Sequence, residues 1–259
     1  MDRKGRFMAV LLAVFVFLSG LCVGSFLNVC IYRIPNGESI VFGRSHCPAC
    51  GAGIRERDLV PVLSWLALRG RCRDCGAHIS IRYPAVEVLG GLLFLAVYGV
   101  YGFTLSAAVY AAFICALVAT AFIDYDRSII PNGIVLYVLA VGVLAVFFTE
   151  GTGIIDRVVG FFAASVPLLV ACLVTKGGLG LGDVKLMAAG GFLLGWKLIL
   201  LSLGLGSVVG AVVGVTLVLR RRKSMRSAIP FGPFLALGMC FSALYGNAAL
   251  HAYIGLFAR

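Results

Sequence analysis

Two aspartates lie where long apolar segments meet polar ones, an unusual place for an ionisable side chain. Asp124 closes one apolar stretch, and Asp183 opens another in the run Gly180-Leu-Gly-Asp-Val-Lys185. An ionisable residue at membrane depth is costly and marks a candidate functional site. Two nearby carboxylates cannot both ionise easily, so one retains a proton while the other activates a water. The pair therefore predicts aspartic-protease chemistry.

Simpler interpretations exist for each aspartate. Asp183 could cap the N-terminus of a helix, and Asp124 could be an interfacial residue at a helix end. Asp126 is a rival to Asp124, but residues two apart on a helix do not share a face. Four glycines precede or flank Asp183 and allow close approach of a neighbour or an extended substrate, which a plain cap does not need: Gly177, Gly178, Gly180 and Gly182. Gly180, Gly182 and Lys185 are the expected active-site support.

Cysteine spacing supplies a second constellation. Cys47-Pro-Ala-Cys50 and Cys72-Arg-Asp-Cys75 are separated by 21 residues, and a glycine follows each pair. This spacing lies just beyond the usual zinc-ribbon range, and in a reducing loop it favours a tetrahedral zinc site over disulfides. The predicted ligands are Cys47, Cys50, Cys72 and Cys75. Two redox pairs or unmetallated thiols are the alternatives.

Composition identifies the elements that must position these residues. Of 259 residues, 61% are hydrophobic and 13% are charged, and the mean hydropathy is +1.04. These values exclude a soluble globular domain and predict an all-α polytopic membrane protein. About eight transmembrane helices are expected, at residues 7–30, 84–102, 105–123, 131–149, 154–174, 184–196, 198–219 and 229–255. Gly20 and Gly24, like Gly206, Gly210 and Gly214, have the spacing of helix-packing glycines.

The polar insertion divides the chain into three predicted parts. Residues 1–30 form a first transmembrane helix, residues 31–83 a small cytoplasmic zinc-binding domain, and residues 84–259 a multi-helix membrane peptidase domain. We expect the first helix to be retained, because its apolar stretch exceeds a signal-peptide core and no small-residue cleavage site follows.

Basic residues predict the orientation of the helices. If residues 31–83 are cytoplasmic, alternation places 16 of the 22 lysines and arginines on that side, as the positive-inside rule requires. The same alternation brings Asp124 and Asp183 to the cytoplasmic boundary. Because the net charge of +11 is spread over these connecting segments, it does not indicate a nucleic-acid partner.

The order of motifs resembles the type IV prepilin peptidases, which are intramembrane aspartyl proteases of the Gly-x-Gly-Asp type. The resemblance covers nearly the whole chain and rests on these runs: Gly24-Ser-Phe-Leu-Asn28, Tyr32-Arg33, Arg44-Ser-His-Cys-Pro48, Leu63-Ser-Trp65, Arg69-Gly-Arg-Cys72, Ile81-Arg-Tyr-Pro84 with Glu87, Asp124 with Ile130-Pro131, Gly180 to Lys185, and Ile229-Pro-Phe-Gly-Pro-Phe-Leu-Ala236. Leu181 and Asn132 depart from the pattern, where a smaller residue and an aspartate are often expected.

The resemblance implies an eight-helix enzyme of the inner membrane, with Asp124 and Asp183 as a catalytic pair facing the cytoplasm. It implies prepilin or pseudopilin substrates, and methylation of the new N-terminus with S-adenosylmethionine as the methyl donor. That second activity goes with the cysteine-bearing loop. Gly70 and Glu38 correspond to methyltransferase-associated positions and are the candidate donor-binding residues. The chain contains no glycine-rich Rossmann fingerprint for the donor.

Two other functions are open from the residues alone. An ion-coupled transporter also uses intramembrane carboxylates and broken helices, but it predicts an internal repeat that the sequence does not show. A membrane-anchored zinc-ribbon binding module would explain the cysteines and leave both aspartate motifs without a role.

Overall fold

The fold is built almost entirely of helices. A computed structural model describes residues 3–175, 180–220 and 230–257. The α-helices are α1 Arg3–Arg33, α2 Leu63–Ala67, α3 Arg82–Tyr101, α4 Leu105–Arg127, α5 Asn132–Phe148, α6 Ile154–Ala163, α7 Ser165–Val174, α8 Leu181–Leu194, α9 Trp196–Leu219 and α10 Gly232–Phe257. Within these residues only isolated bridges, and no strands, are present. The predicted all-α class is confirmed.

The apolar helices agree with the predicted spans. Among the described residues, six helical segments are long and apolar enough to cross a membrane, and α5 is a shorter apolar helix. The predicted span at 154–174 consists of two consecutive helices, α6 and α7. The sixth predicted span is α8, whose 14 residues extend only about 21 Å at 1.5 Å per residue. The architecture is that of a multi-pass membrane protein.

The chain divides into two compact units, Met1–Phe103 and Thr104–Arg259. In the first unit, α1 packs along α3. A methyl group placed on Gly20 would lie 2.7 Å from the carbonyl oxygen of Gly90, and one on Gly24 would lie 2.7 Å from the Cα atom of Glu87. These two glycines therefore allow the helix backbones to touch, as their spacing predicts.

Helix α8 lies at the centre of the second unit. It contacts α5, α6, α7, α9 and α10, and nine of its 14 residues are buried. Gly191 of α8 meets Gly160 of α6 so closely that neither position has room for a methyl group. Because protein surrounds α8 on most sides, this helix does not need the length of a lipid-facing span.

A buried arginine holds the C-terminal end of α8. The sequence predicts Arg157 only as a basic residue opposite the cytoplasmic side, yet its side chain is 1% exposed. Its guanidinium donates hydrogen bonds to Leu193 O at 2.7 Å, Ala145 O at 3.1 Å and Thr149 Oγ1 at 2.6 Å. These acceptors lie at the C-terminal ends of α8 and α5, where the helix dipole is negative, and Ala145 O also accepts the N–H of Thr149, the residue that follows α5. Arg157 therefore joins three helices.

Replacing Arg157 with Met is expected to destabilise the second unit by about 2 kcal/mol or more, because several charge-assisted hydrogen bonds are lost in a buried site. Arg157→Lys should have a smaller effect, since it retains the charge. The measurement is the unfolding midpoint in detergent. Lys197→Met, an exposed change nearby in the same unit, is the matched control. Equal midpoints for Arg157→Met and this control would contradict the assignment.

Candidate active site and metal centre

The end of α4 turns one of two neighbouring aspartates inward. Asp124 is 6% exposed, whereas Asp126 is exposed. The helix ends at Ser128, which has a φ of +53° and whose N–H donates to Asp124 O at 2.8 Å. This left-handed residue reverses the chain directly after the buried carboxylate. Geometry therefore favours Asp124 over Asp126 as the functional residue.

The first residue of α10 contacts the Asp124 carboxylate. The backbone N–H of Gly232 donates to Asp124 Oδ2 at 2.9 Å, and a methyl group on Gly232 would lie 2.6 Å from that oxygen. N–H groups of a first helical turn have no partner within the helix and favour negative charge. The sequence places Gly232 in a motif without giving it a role. Its position between Pro230 and Pro233, at the start of an apolar segment, is the only local signal.

Asp183 is the third residue of α8 and is also 6% exposed. Its carboxylate accepts a hydrogen bond from the backbone N–H of Gly180, the N-cap residue, which is a capping arrangement. Its Oδ1 atom is buried and accepts no hydrogen bond from the described residues. A capping role therefore accounts for only part of this side chain. A buried oxygen without a partner costs roughly 1–3 kcal/mol, which a purely structural residue would avoid.

The two buried carboxylates come together. Asp124 and Asp183 interact electrostatically, although they belong to different helices. Like charges that are both removed from water favour a state in which the pair holds one proton. Such a pair carries an acid and a base together, the requirement for activating water at neutral pH.

The predicted support residues hold the start of α8 against the connection between α4 and α5. A methyl group on Gly182 would lie 2.9 Å from Ile130 Cβ, so this glycine permits a close contact. Lys185 Nζ donates to Asn132 Oδ1 at 3.1 Å. Gly180 lies beside the Asp183 carboxylate, with 3.3 Å from its ideal Cβ position to Oδ2. Gly177 and Gly178 are outside the described residues.

The four predicted ligand cysteines converge in the first unit. Their Sγ atoms all lie within 4.8 Å of one another, and Cys47 and Cys75 are 3.9 Å apart. Four sulfurs at 2.3 Å from a tetrahedral zinc ion would be separated by roughly 3.8 Å. The cluster therefore has the donor set and the dimensions for holding a metal ion.

The two cysteine pairs form equivalent turns. Cys47 N donates to Ala52 O and Cys72 N donates to Ala77 O, at 2.9 and 2.8 Å. The following glycines, Gly51 and Gly76, have φ values of +73° and +72°, which glycine adopts without strain. The backbone N–H groups of Cys50 and then Ala49 lower the pKa of the Cys47 thiol to about 7. The Ala77 N–H lowers the pKa of Cys75, but the neighbouring thiols outweigh it and raise that pKa to about 12, so the four thiols do not ionise independently.

Ion pairs connect these turns to the adjoining polar chain. Arg73 donates to both carboxylate oxygens of Asp58, at 2.9 and 2.7 Å, and Arg55 lies 3.6 Å from Asp74. The Arg73 hydrogen bond lowers the pKa of Asp58. Few apolar side chains of this region are buried, so these contacts contribute much of its order.

Gly70 and Glu38 contact different residues of the first unit. Gly70 has a φ of +65°, donates its N–H to Trp65 O at 2.9 Å, and lies under the indole ring. Glu38 Oε2 lies 4.0 Å from Arg33 Nε, and the Glu38 side chain is substantially exposed. The structure therefore places Gly70 beside Trp65 of α2 and Glu38 beside Arg33, the last residue of α1.

A buried aspartate pair at helix ends, within an apolar helical unit, defines the class of intramembrane aspartyl proteases. Two family models match the chain: the Bacterial Peptidase A24 N-terminal domain over residues 18–101, and the Type IV leader peptidase family over residues 111–215. The chain belongs to the type IV leader peptidase family. The resemblance seen in the sequence motifs is thereby confirmed.

Curated relatives cover nearly the whole chain. A prepilin leader peptidase/N-methyltransferase of Pseudomonas putida is 37% identical, over 93% of this chain and 94% of its own length. Proteins with the same name from Aeromonas hydrophila and Bacillus subtilis are 37% and 34% identical, over 92% of this chain and 92% and 96% of their own lengths. No solved structure matches the chain.

If Asp124 acts in catalysis, Gly232→Ala is expected to lower peptide cleavage on the order of 100-fold, because the added methyl displaces the Asp124 carboxylate by a fraction of an ångström or more. The unfolding midpoint should change little. Cleavage of a prepilin-like peptide by the purified variant measures the effect. Gly204→Ala on α9, where an added methyl meets no neighbour within 4 Å, is the control. If both variants cleave alike, the contact between Gly232 and Asp124 has no role in catalysis.

Proposed function

We propose that this chain is an intramembrane aspartyl endopeptidase that removes the leader peptide of type IV prepilins and pseudopilins, then methylates the new N-terminus. The observation that carries the peptidase proposal is the buried, mutually interacting pair of Asp124 and Asp183. The relatives, which are prepilin leader peptidase/N-methyltransferases, support the second activity.

The pair performs hydrolysis with one proton shared between its members. The ionised carboxylate takes a proton from water as the water oxygen attacks the scissile carbonyl carbon, and the protonated carboxyl donates to the carbonyl oxygen. The tetrahedral intermediate collapses when the C–N bond breaks: the leaving nitrogen accepts the proton that the first carboxylate took from water, and a hydroxyl of the intermediate returns a proton to the second carboxylate. The Gly232 N–H fixes one oxygen of Asp124, so the base has a defined orientation.

The proposed active site faces the cytoplasm. The supporting argument is the distribution of basic residues, since 16 of 22 lie on the side assigned to the cytoplasm. Five of these 16 basic residues lie at positions 220–226; Arg220 is described, while 221–229 lie outside the described residues. In this orientation the basic leader of a substrate remains in water and its apolar helix enters the bilayer beside the aspartates.

The proposed metal is a structural zinc ion. Cys47, Cys50, Cys72 and Cys75 would supply four thiolates, which close the coordination shell and leave no position for a substrate or water. Zinc bound in this way stabilises a small loop that lacks a hydrophobic core. The four cysteines therefore suit a metal ion that stabilises residues 31–83, while the aspartates that would catalyse hydrolysis belong to residues 84–259.

Methylation requires a separate donor, S-adenosylmethionine. The donor supplies a methyl carbon to the lone pair of the freed amine; its C–S bond breaks toward sulfur, and the amine releases a proton to water. The amine must be neutral to react, so the transfer should increase as the pH rises through the α-amino pKa of about 8.

Neither alternative function gains support from the relatives. The ion-coupled transporter and the zinc-ribbon binding module both lack a counterpart among the matched families. The aspartate pair also has a direct role in the peptidase proposal.

Asp124→Asn and Asp183→Asn are each expected to abolish cleavage, because an amide of equal size can neither hold the proton nor activate water. Incubation with a prepilin-like substrate, followed by mass spectrometry of both products, measures cleavage and methylation together. Asp126→Asn, two residues from Asp124 and exposed, is the matched control and should retain substantial activity. Near-normal turnover by either buried variant would refute the catalytic pair.

Replacing both Cys72 and Cys75 with Ser is expected to remove one equivalent of zinc, because two of its four ligands are lost. Methylation should fall more than peptide cleavage. Elemental analysis of protein purified under reducing conditions measures the metal, and Cys22→Ser is the control, since that cysteine lies on α1 outside the cluster. Unchanged zinc in the double variant would exclude the site; equal loss of both activities would exclude only the division of labour.

A further inference from the structure

The first unit contains a cavity of about 420 Å³ in which polar, aromatic and cysteine residues meet. Small-ligand pockets typically measure roughly 300–1,000 Å³. Residues from the end of α1, the cysteine loop and the first turns of α3 form its walls. The cavity is therefore large enough for a nucleoside-sized molecule, and it lies within a single unit of the chain.

A buried carboxylate belongs to the wall of this cavity. Glu87 is 8% exposed, and its Oε2 atom accepts a hydrogen bond from Val62 N at 2.7 Å. Within the described residues, no lysine or arginine forms a salt bridge with Glu87. A buried carboxylate without a cationic partner is costly, and a positively charged ligand would offset that cost.

The backbone that contacts Glu87 is strained. Val62 has a φ of +62° and a ψ of −50°, a conformation that a β-branched residue rarely adopts. Such strain costs on the order of 1–3 kcal/mol and is concentrated at functional sites. The hydrogen bond to Glu87 holds this conformation, so the carboxylate and the loop are fixed together before any ligand arrives.

A fixed aromatic face lies in the same cavity. The Trp65 indole N–H donates to Ile79 O at 3.1 Å, and Gly70 supports the ring, where an added methyl would lie 2.9 Å from Trp65 Cζ2. Tyr32 and Tyr83 also line the cavity. Aromatic faces stack on nucleobases and attract organic cations. The wall thus combines a surface for a purine with a site for positive charge.

We propose that this cavity binds the methyl donor S-adenosylmethionine, with its sulfonium cation directed toward Glu87 and its adenine against Trp65. The proposal rests on the methyltransferase activity of the proposed function. It also explains how the two candidate donor-binding residues, Gly70 and Glu38, relate to the cavity. Gly70 supports Trp65 from behind, and Glu38 lies beside Arg33, which is part of the cavity wall and donates to the carbonyl oxygens of residues 39 and 42–44.

The cavity also connects the cysteine cluster with methyl transfer. Cys47 and Cys72 contribute to its wall, as do Pro48 and Ala49 between the first pair of cysteines. Loss of metal would therefore deform the donor site directly. The metal ion would therefore affect methyl transfer through the cysteine residues that also form the cavity wall.

The test compares the sulfonium donor with S-adenosylhomocysteine, its uncharged thioether product, by calorimetric titration of the purified full-length protein. Glu87→Gln retains an acceptor for Val62 N–H and removes only the charge. It should weaken binding of the donor about tenfold or more, the usual effect of losing one charge-assisted contact, while binding of the thioether changes less than twofold. Glu56→Gln, an exposed acid outside this cavity, should bind both ligands as the unmodified chain does.

Equal changes for both ligands in Glu87→Gln, or no change in either, would overturn the placement of the sulfonium. If that variant does not fold, amide hydrogen exchange of the unmodified protein with and without the thioether locates the ligand. Protection at residues 62–65 and 78–87 supports the proposal, and protection confined to residues 104–257 overturns it.

The two levels of the proposal fail differently. If the unmodified chain methylates a cleaved pilin but the thioether protects other segments, the methyltransferase function stands and the proposed donor site is wrong. If the unmodified chain binds neither ligand and leaves the cleaved pilin unmethylated, the proposed methyltransferase function is wrong, and the proposed donor site is wrong with it.

Discussion

A carboxylate inside an apolar helical unit must obtain its hydrogen bonds from the protein backbone, and much of the second unit follows from that constraint. Asp124 obtains one from the first N–H of α10, and Asp183 obtains one from the N-cap of α8. Helix N-termini are the natural source, because their N–H groups are free and their dipoles favour negative charge. The bundle must therefore bring two helix starts to the end of α4.

Glycine makes that convergence possible. Gly232 and Gly182 lie at contacts too close for a side chain, Gly232 against the Asp124 carboxylate and Gly182 against Ile130. Farther along α8, the contact between Gly160 and Gly191 fixes the crossing with α6. Arg157 then holds the opposite end of α8. The position of Asp183 thus depends on contacts distributed along the whole helix.

The residues that carry distinctive chemistry could be predicted from the sequence. Asp124 and Asp183 stand out because acids are rare in apolar segments, and the four cysteines because their spacing is typical of metal knuckles. The all-α class follows equally from long apolar runs. These signals are local, so a single chain displays them.

Features that depend on tertiary contact could not be predicted in this way. Arg157 has the sequence context of a topology signal, and only the packing of α5, α6 and α8 reveals it as buried. Gly232 gives no sign of its carboxylate partner 108 residues away. The division of the predicted span 154–174 at Ala164 and the cavity beside Glu87 likewise arise from neighbours that are distant along the chain.

The shortness of α8 has a consequence for how water reaches the aspartates. A helix of 14 residues extends about 21 Å, whereas the hydrocarbon core of a bilayer is about 30 Å thick. After α8 come Gly195, Trp196 and Lys197, and the residue types of the last two favour the interface between membrane and water. If they mark one surface, Asp183 lies roughly 9 Å beneath the other. The apolar layer between that surface and Asp183 is then about a third of the hydrocarbon core, so water has only a short distance to cross to reach the aspartates.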